Sequence, residues 1–235
     1  MIRKYDILML SNYFLMEIGE MTMKNQDENK ELTIFNHIGD TIVTEDREIQ
    51  IISRVEEPLI VVLENVLSDE ECESLIELSK DSMKRSKIGA SREVDNIRTS
   101  SGTFLEENET VAIIEKRVSS IMNIPVEHGE GLHILKYTPG QEYKAHYDYF
   151  AEHSRAAENN RISTLVMYLN DVEEGGETFF PKLNLSIAPK KGSAVYFEYF
   201  YNDKSLNELT LHGGAPVIKG EKWVATQWMR RRAFV

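Results

Sequence analysis

Residues 132–149 read Leu-His-Ile-Leu-Lys-Tyr-Thr-Pro-Gly-Gln-Glu-Tyr-Lys-Ala-His-Tyr-Asp-Tyr. Two runs rich in apolar and aromatic residues, 132–138 and 142–149, meet at the turn signal Thr138-Pro139-Gly140. Proline presets the turn's first torsion and glycine tolerates the next, so neighbouring strands are expected on either side. The same rhythm continues downstream. Strands are expected at 162–169, 185–188, 193–200, 208–212 and 222–229, punctuated by Glu174-Gly175-Gly176, Pro189-Lys190-Lys191-Gly192 and Gly213-Gly214. Short strands at this spacing predict a mainly β sandwich or barrel.

Upstream, the pattern is different. Leu59-Ile60-Val61-Val62-Leu63 reads as a buried strand. Ser68 with Glu71 three residues later forms a capping box, opening a helix to about Lys84 with Leu75, Ile76 and Leu78 on its apolar face. A second helix is expected from Asn108, with Val111, Ile114, Val118 and Ile121 on one face, ending before Pro125. Between the helices, the polar stretch 89–104 is long for a connection and is a candidate lid. Residues 1–55 are polar and weakly periodic and read as an N-terminal arm, followed by one domain over 56–235. Met21 and Met23 offer alternative starts, so 1–20 is expected to be an extension.

Composition narrows the function. Of 235 residues, 41% are hydrophobic and 13 are Gly, which rules out a disordered, collagenous or coiled-coil chain. Cys72 is the single cysteine, excluding intramolecular disulfides and Cys-rich zinc modules. With 27 basic and 39 acidic residues the net charge is −12, which disfavours nucleic acid and anionic membranes as partners. Arg230-Arg231-Arg232 reads as a solvated chain end. The apolar stretch Ile7 to Met16 is interrupted and too short for a membrane span. No A-x-A-like cleavage site follows Arg3-Lys4, so a cytoplasmic location is expected.

Three polar residues in the β region stand out. In a strand, residues i and i+2 share a face, so His146 and Asp148 can converge on one ion. With His212 they make a two-His, one-carboxylate set, the kind that holds Fe(II) on one face and leaves the other open. Ten residues on, Lys222 starts the run Lys222-Trp223-Val224-Ala225-Thr226-Gln227-Trp228, whose parity puts Lys222, Val224, Thr226 and Trp228 on one face. A lysine in so apolar a strand is costly unless it meets an anion.

The set His146-x-Asp148, His212 and Lys222 resembles the 2-oxoglutarate-dependent Fe(II) dioxygenases. More narrowly, it resembles the collagen-type prolyl 4-hydroxylases, in a bacterial form with a single catalytic domain. Tyr137-x-x-Gly140-x-x-Tyr143, Glu174-Gly175-Gly176-Glu177-Thr178, Pro189-x-x-Gly192-x-Ala194 and Arg98-Thr99-Ser100-Ser101-Gly102-Thr103-Phe104-Leu105 carry the likeness across 58–235. The resemblance implies a double-stranded β-helix, or jelly roll, flanked by N-terminal α-helices. It implies Fe(II) at His146, Asp148 and His212, with 2-oxoglutarate as co-substrate paired to Lys222 and hydrogen-bonded by Tyr137 and Thr178. O2 is the oxidant, and ascorbate is expected as reductant. Tyr143, Arg161, Trp228 and Arg98 match positions of the peptide groove, although strict alternation sets Tyr143 on the face opposite His146. The implied reaction hydroxylates peptidyl proline at C4 in collagen-like or proline-rich chains, giving succinate and CO2. Competing readings are the same chemistry on a free amino acid or another protein side chain, a non-catalytic jelly-roll binding module, and a cupin-type enzyme. Lys222 argues against the binding module. The aromatic segment Tyr196 to Tyr201 is a candidate homodimer surface.

Overall fold

The first run of residues, Leu59 to Leu63, does form a strand, and it is the third rather than the first. The computed structural model describes residues 31–86 and 97–234. Its strands are β1 (Thr41–Val43), β2 (Glu48–Glu56), β3 (Leu59–Glu64), β4 (Lys84–Arg85), β5 (Ser101–Phe104), β6 (His133–Tyr137), β7 (Tyr143–His146) and β8 (Arg161–Tyr168). They continue as β9 (Glu174–Gly175), β10 (Thr178–Phe180), β11 (Leu185–Ile187), β12 (Ala194–Glu198), β13 (His212–Gly214), β14 (Val217–Lys219) and β15 (Lys222–Arg230). The helices are α1 (Asp69–Ser79), α2 (Glu109–Met122) and the short α3 (Lys204–Leu209).

A nine-stranded sheet runs β1-β2-β3-β12-β8-β15-β6-β5-β4 and faces a four-stranded sheet β11-β10-β13-β7, with β14 and β9 paired separately. Among the described residues these strand pairings are all antiparallel. This is the jelly roll expected. Strand alternation divides the core in two. Tyr196 and Ala194 of β12, and Ala225 and Met229 of β15, pack against α1 and α2 through Cys72, Leu75, Val111, Ile114 and Val118. Val195, Phe197 and Val224 turn the other way, into the space between the sheets with Tyr168, Phe180 and Val217. β15 is buried on both faces, which is why its sequence lacks polar alternation.

Both predicted helix starts are present. Ser68 and Glu71 form the reciprocal capping box, and the Asn108 side chain accepts from Val111 N at 3.1 Å. The first helix stops at Ser79, short of Lys84, and continues as a single 3-10 turn.

Four expectations change. From Thr33 the segment expected to be an arm belongs to the folded unit. Phe35, Ile42 and Ile49 are buried, and β1 and β2 extend the large sheet. One apolar residue in two or three suffices there, because a sheet edge buries only one face. Residues 204–209 are helical, capped by Asp203, so the strand expected at 208–212 begins only at His212. Gly213-Gly214 is not a turn but part of β13. A Cβ on Gly213 would lie 2.6 Å from the Phe179 ring and 2.7 Å from Tyr143 O, so only glycine lets these strands close. Finally, Tyr196, Phe197 and Tyr199 are core side chains, which leaves little of that segment for a second copy.

Of the stretch expected to be a lid, 97–104 is ordered. Arg98 bridges to Tyr143, and β5 pairs with β6. The rest of that expectation, like the one for 1–20, lies outside the described residues.

Candidate active site

The last residue of β7 and the first of β13 face one another directly, since His146 and His212 are register partners. Asp148 follows two residues after β7. One ligand atom from each of the three lies within 4.8 Å of the others. His146 Nε2 is 3.4 Å from Asp148 Oδ1, and His212 Nε2 is 3.6 Å from Asp148 Oδ2. Each imidazole is oriented by its other nitrogen. His146 Nδ1 lies 2.9 Å from Lys144 O, and His212 Nδ1 3.0 Å from Thr210 O. Carbonyls accept only, so both Nδ1 atoms carry the proton and both Nε2 lone pairs face the common centre.

The carboxylate is held just as firmly. Thr164 donates to Asp148 Oδ2 at 2.7 Å, and its own oxygen is 2.7 Å from the Tyr199 hydroxyl. Burial opposes ionisation of Asp148, but positive charge on its His212 and His146 side, whether a proton on an Nε2 or a cation in its place, together with Arg161 outweighs it and keeps the carboxyl far below its usual range. Burial, with His146 beside it, pushes His212 down to about 4 despite Asp148. Two neutral imidazole nitrogens and one carboxylate on one side of an open cleft fit Fe(II) and leave coordination positions for other ligands.

Tyr143 stacks on His146 with ring centroids 3.5 Å apart and planes within 13°. Alternation alone would separate them. Between the register pairs His212↔His146 and Gly214↔Tyr143, β7 advances three residues while β13 advances two. That bulge turns Tyr143 to the side of His146.

Lys222, Val224, Thr226 and Trp228 all line the cleft, as parity predicts, together with Leu135, Tyr137, Val166 and Thr178. Lys222 is the register partner of Tyr137. Its ammonium lies 5.6 Å from the ring centres of both Tyr137 and Tyr168. Lys222 is only 4% exposed, and among the described residues no carboxylate forms an ion pair with it. Burial pushes its pKa down to about 8, with Glu177 opposing. Tyr168 donates to Thr178 Oγ1 at 2.8 Å, which leaves the Thr178 proton free to point elsewhere.

Two predicted groove residues stand behind the wall of the cleft. Arg98 is buried, 5.0 Å from the centre of the Tyr143 ring, and shares a 3.4 Å contact with His133 Nδ1. Arg161 lies 4.0 Å over Trp228 and is clamped by Glu130 through two bonds of 2.6 and 2.7 Å. Arg230 joins the same carboxylate at 2.6 Å, so it is a buried ion-pair partner and not a solvated end. Sequence reasoning missed Thr164, Tyr199, Glu130 and His133. Thr164 was within reach of it: a small hydroxyl residue on the strand face it shares with Val166 and Tyr168.

A jelly roll that brings two histidines, an aspartate and a buried lysine to one cleft defines the class of Fe(II)- and 2-oxoglutarate-dependent oxygenases. Residues 132–230 match the model of the 2OG-Fe(II) oxygenase superfamily. The chain is 43% identical over 223 residues to prolyl 4-hydroxylase 5 of Arabidopsis thaliana, covering 83% of this chain and 76% of that one. It is 45% identical over 212 residues to probable prolyl 4-hydroxylase 10 of the same plant, covering 79% and 72%. The viral collagen prolyl hydroxylase of Paramecium bursaria Chlorella virus-1, solved with 2-oxoglutarate, superposes with a TM-score of 0.60 at 33% identity, over 73% of this chain and 95% of that one. The chain belongs to the prolyl 4-hydroxylase family of the 2-oxoglutarate- and Fe(II)-dependent oxygenases. His146, Asp148 and His212 are the grouped side chains that could hold its Fe(II).

Proposed function

We propose that the protein hydroxylates peptidyl proline at C4 in proline-rich or collagen-like segments, with 2-oxoglutarate as co-substrate. One observation carries the reading. A single face of β15 presents Lys222 near one end and Trp228 six residues on, about 20 Å at strand rise, while the Fe(II) ligands sit on the opposing sheet and the loop after β7. Bound Fe(II) supplies O2 activation coupled to oxidative decarboxylation of 2-oxoglutarate.

The protein's own residues do the placement. Lys222 neutralises the distal carboxylate of 2-oxoglutarate, and the Tyr137 and Thr178 hydroxyls give it direction. The backbone carbonyls of Lys144 and Thr210 keep the imidazoles in the ligating tautomer. Trp228, held flat by Arg161, and Tyr143, backed by Arg98, present the aromatic surfaces on which prolines of a polyproline II peptide rest. The names of the relatives support proline as the target.

A (Pro-Pro-Gly)-type peptide incubated with the enzyme, Fe(II), 2-oxoglutarate and O2 is expected to gain oxygen as 4-hydroxyproline, with one succinate per oxygen. Succinate formation without peptide oxidation would point to a different substrate.

A further inference from the structure

Lys222 is an amine buried at the end of a cleft in which CO2 is released. Its surroundings differ from those of an ordinary buried lysine. No carboxylate of the described residues pairs with it. Its neighbours are the ring faces of Tyr137 and Tyr168 and two glycines, and Thr178 lines the same cleft. A Cβ on Gly214 would come within 3.6 Å of Nζ, and one on Gly176 within 3.3 Å of Cδ, so side chains there would fill the space beside the amine. Because Tyr168 donates to Thr178 Oγ1, the Thr178 proton is not used in that bond.

We propose that, when 2-oxoglutarate is absent, Lys222 is a carbamylation site that captures CO2. The Nζ lone pair attacks the carbon of CO2. An N–C bond forms, one C=O π pair becomes a carboxylate oxygen, and one proton leaves the nitrogen for water at the cleft mouth. No oxidant or reductant is required. The product is an anion standing where the cation was, beside an Fe(II) site whose single carboxylate leaves it a net positive charge. Only the neutral amine reacts. A pKa near 8 leaves on the order of a hundredfold more of it at neutral pH than an ordinary lysine has.

The consequence is competition. Resting on the reading of Lys222 as the 2-oxoglutarate anchor, the carbamate removes the cation that the co-substrate requires and occupies its place. CO2, a product of the reaction, thereby inhibits the next turnover until the carbamate decomposes.

The test uses the anaerobic Fe(II)-loaded enzyme in 13C-labelled bicarbonate at neutral pH. Triethyloxonium esterifies any carbamate, and peptide mapping by mass spectrometry locates it. The expected result is a labelled adduct on the peptide containing Lys222, absent in Lys222→Arg and at least tenfold reduced by prior 2-oxoglutarate. No adduct on that peptide in the native enzyme overturns the proposal, whatever the variant does. An adduct that 2-oxoglutarate leaves in place supports carbamylation and overturns the anchor reading instead. No adduct, with a 2-oxoglutarate requirement that still rises in Lys222→Arg, overturns carbamylation and leaves the anchor standing. Turnover of 2-oxoglutarate labelled at C1, in unlabelled bicarbonate, separates the sources. Label above the level of the bulk pool shows capture within the cleft, and label at that level shows uptake from solution; either places CO2 on Lys222.

Discussion

Tyr143 lies flat on the ring of His146, three residues along one strand, because β7 carries one more residue than β13 between their paired positions. The stack fixes the plane of a metal-ligating imidazole from the side that its Nδ1 bond to Lys144 O does not control. Aromatic pairs of this kind contribute about 1 kcal/mol. Tyr143→Ala is therefore expected to weaken Fe(II) binding about fivefold, and Tyr143→Phe to leave it unchanged. Anaerobic Fe(II) titration followed by intrinsic fluorescence checks both.

Thr164 is the only link between Asp148 and Tyr199 among the described hydrogen bonds. Thr164→Val keeps the shape but removes the donor to Asp148 Oδ2 and leaves a buried phenol without its partner. Losing the group that orients a ligand typically costs 10- to 100-fold in metal affinity. The expected outcome is a Fe(II) dissociation constant raised by about tenfold. A value within twofold of the parent would mean the carboxylate is positioned by its backbone alone.

Lys222 is costly to the empty fold. Its pKa of about 8 lies below the 10.5 of an exposed lysine. Between these values the unfolded chain binds the proton and the folded chain does not, so stability rises with pH across that window. Below about pH 8 the full cost is present, on the order of 3 kcal/mol. Lys222→Met is thus expected to raise the melting temperature by several degrees at pH 7 without co-substrate, with the gain disappearing by about pH 10.5. The same variant is expected to raise the KM for 2-oxoglutarate by about 30-fold or more, through loss of a buried charge partner. Thermal unfolding against pH, and steady-state kinetics, read the two effects separately.

Glu130 holds two guanidinium groups at once, Arg161 by two bonds and Arg230 by a third contact. Glu130→Ala would leave both cations buried in like-charge proximity, at a cost of about 3 kcal/mol. It would also release Arg161 from the face of Trp228. The expected result is a lower denaturant midpoint together with a raised peptide KM and an unchanged KM for 2-oxoglutarate. A parallel rise in both KM values would show that Glu130 supports the whole cleft and not its peptide side.

What the sequence by itself determined was local. The capping box at Ser68 and Glu71, the Asn108 cap and the parity of β15 depend on residues three or four apart or on simple alternation. His146, Asp148, His212 and Lys222 were legible only as a set, through their spacing and the family resemblance, because each alone has a commoner structural use. Tertiary structure alone decided the rest. The edge strands of 41–56 depend on a neighbour, β3, to bury their one apolar face. The bulge that brings Tyr143 to His146 exists only where β7 meets β13, and Gly213 looked like a turn because its purpose, a close approach to Phe179 and Tyr143, spans distant segments. The Glu130 clamp joins residues about thirty and a hundred positions apart. Alternation and capping are written into neighbouring residues; register and long-range charge pairing arise only when strands distant in the chain are set side by side.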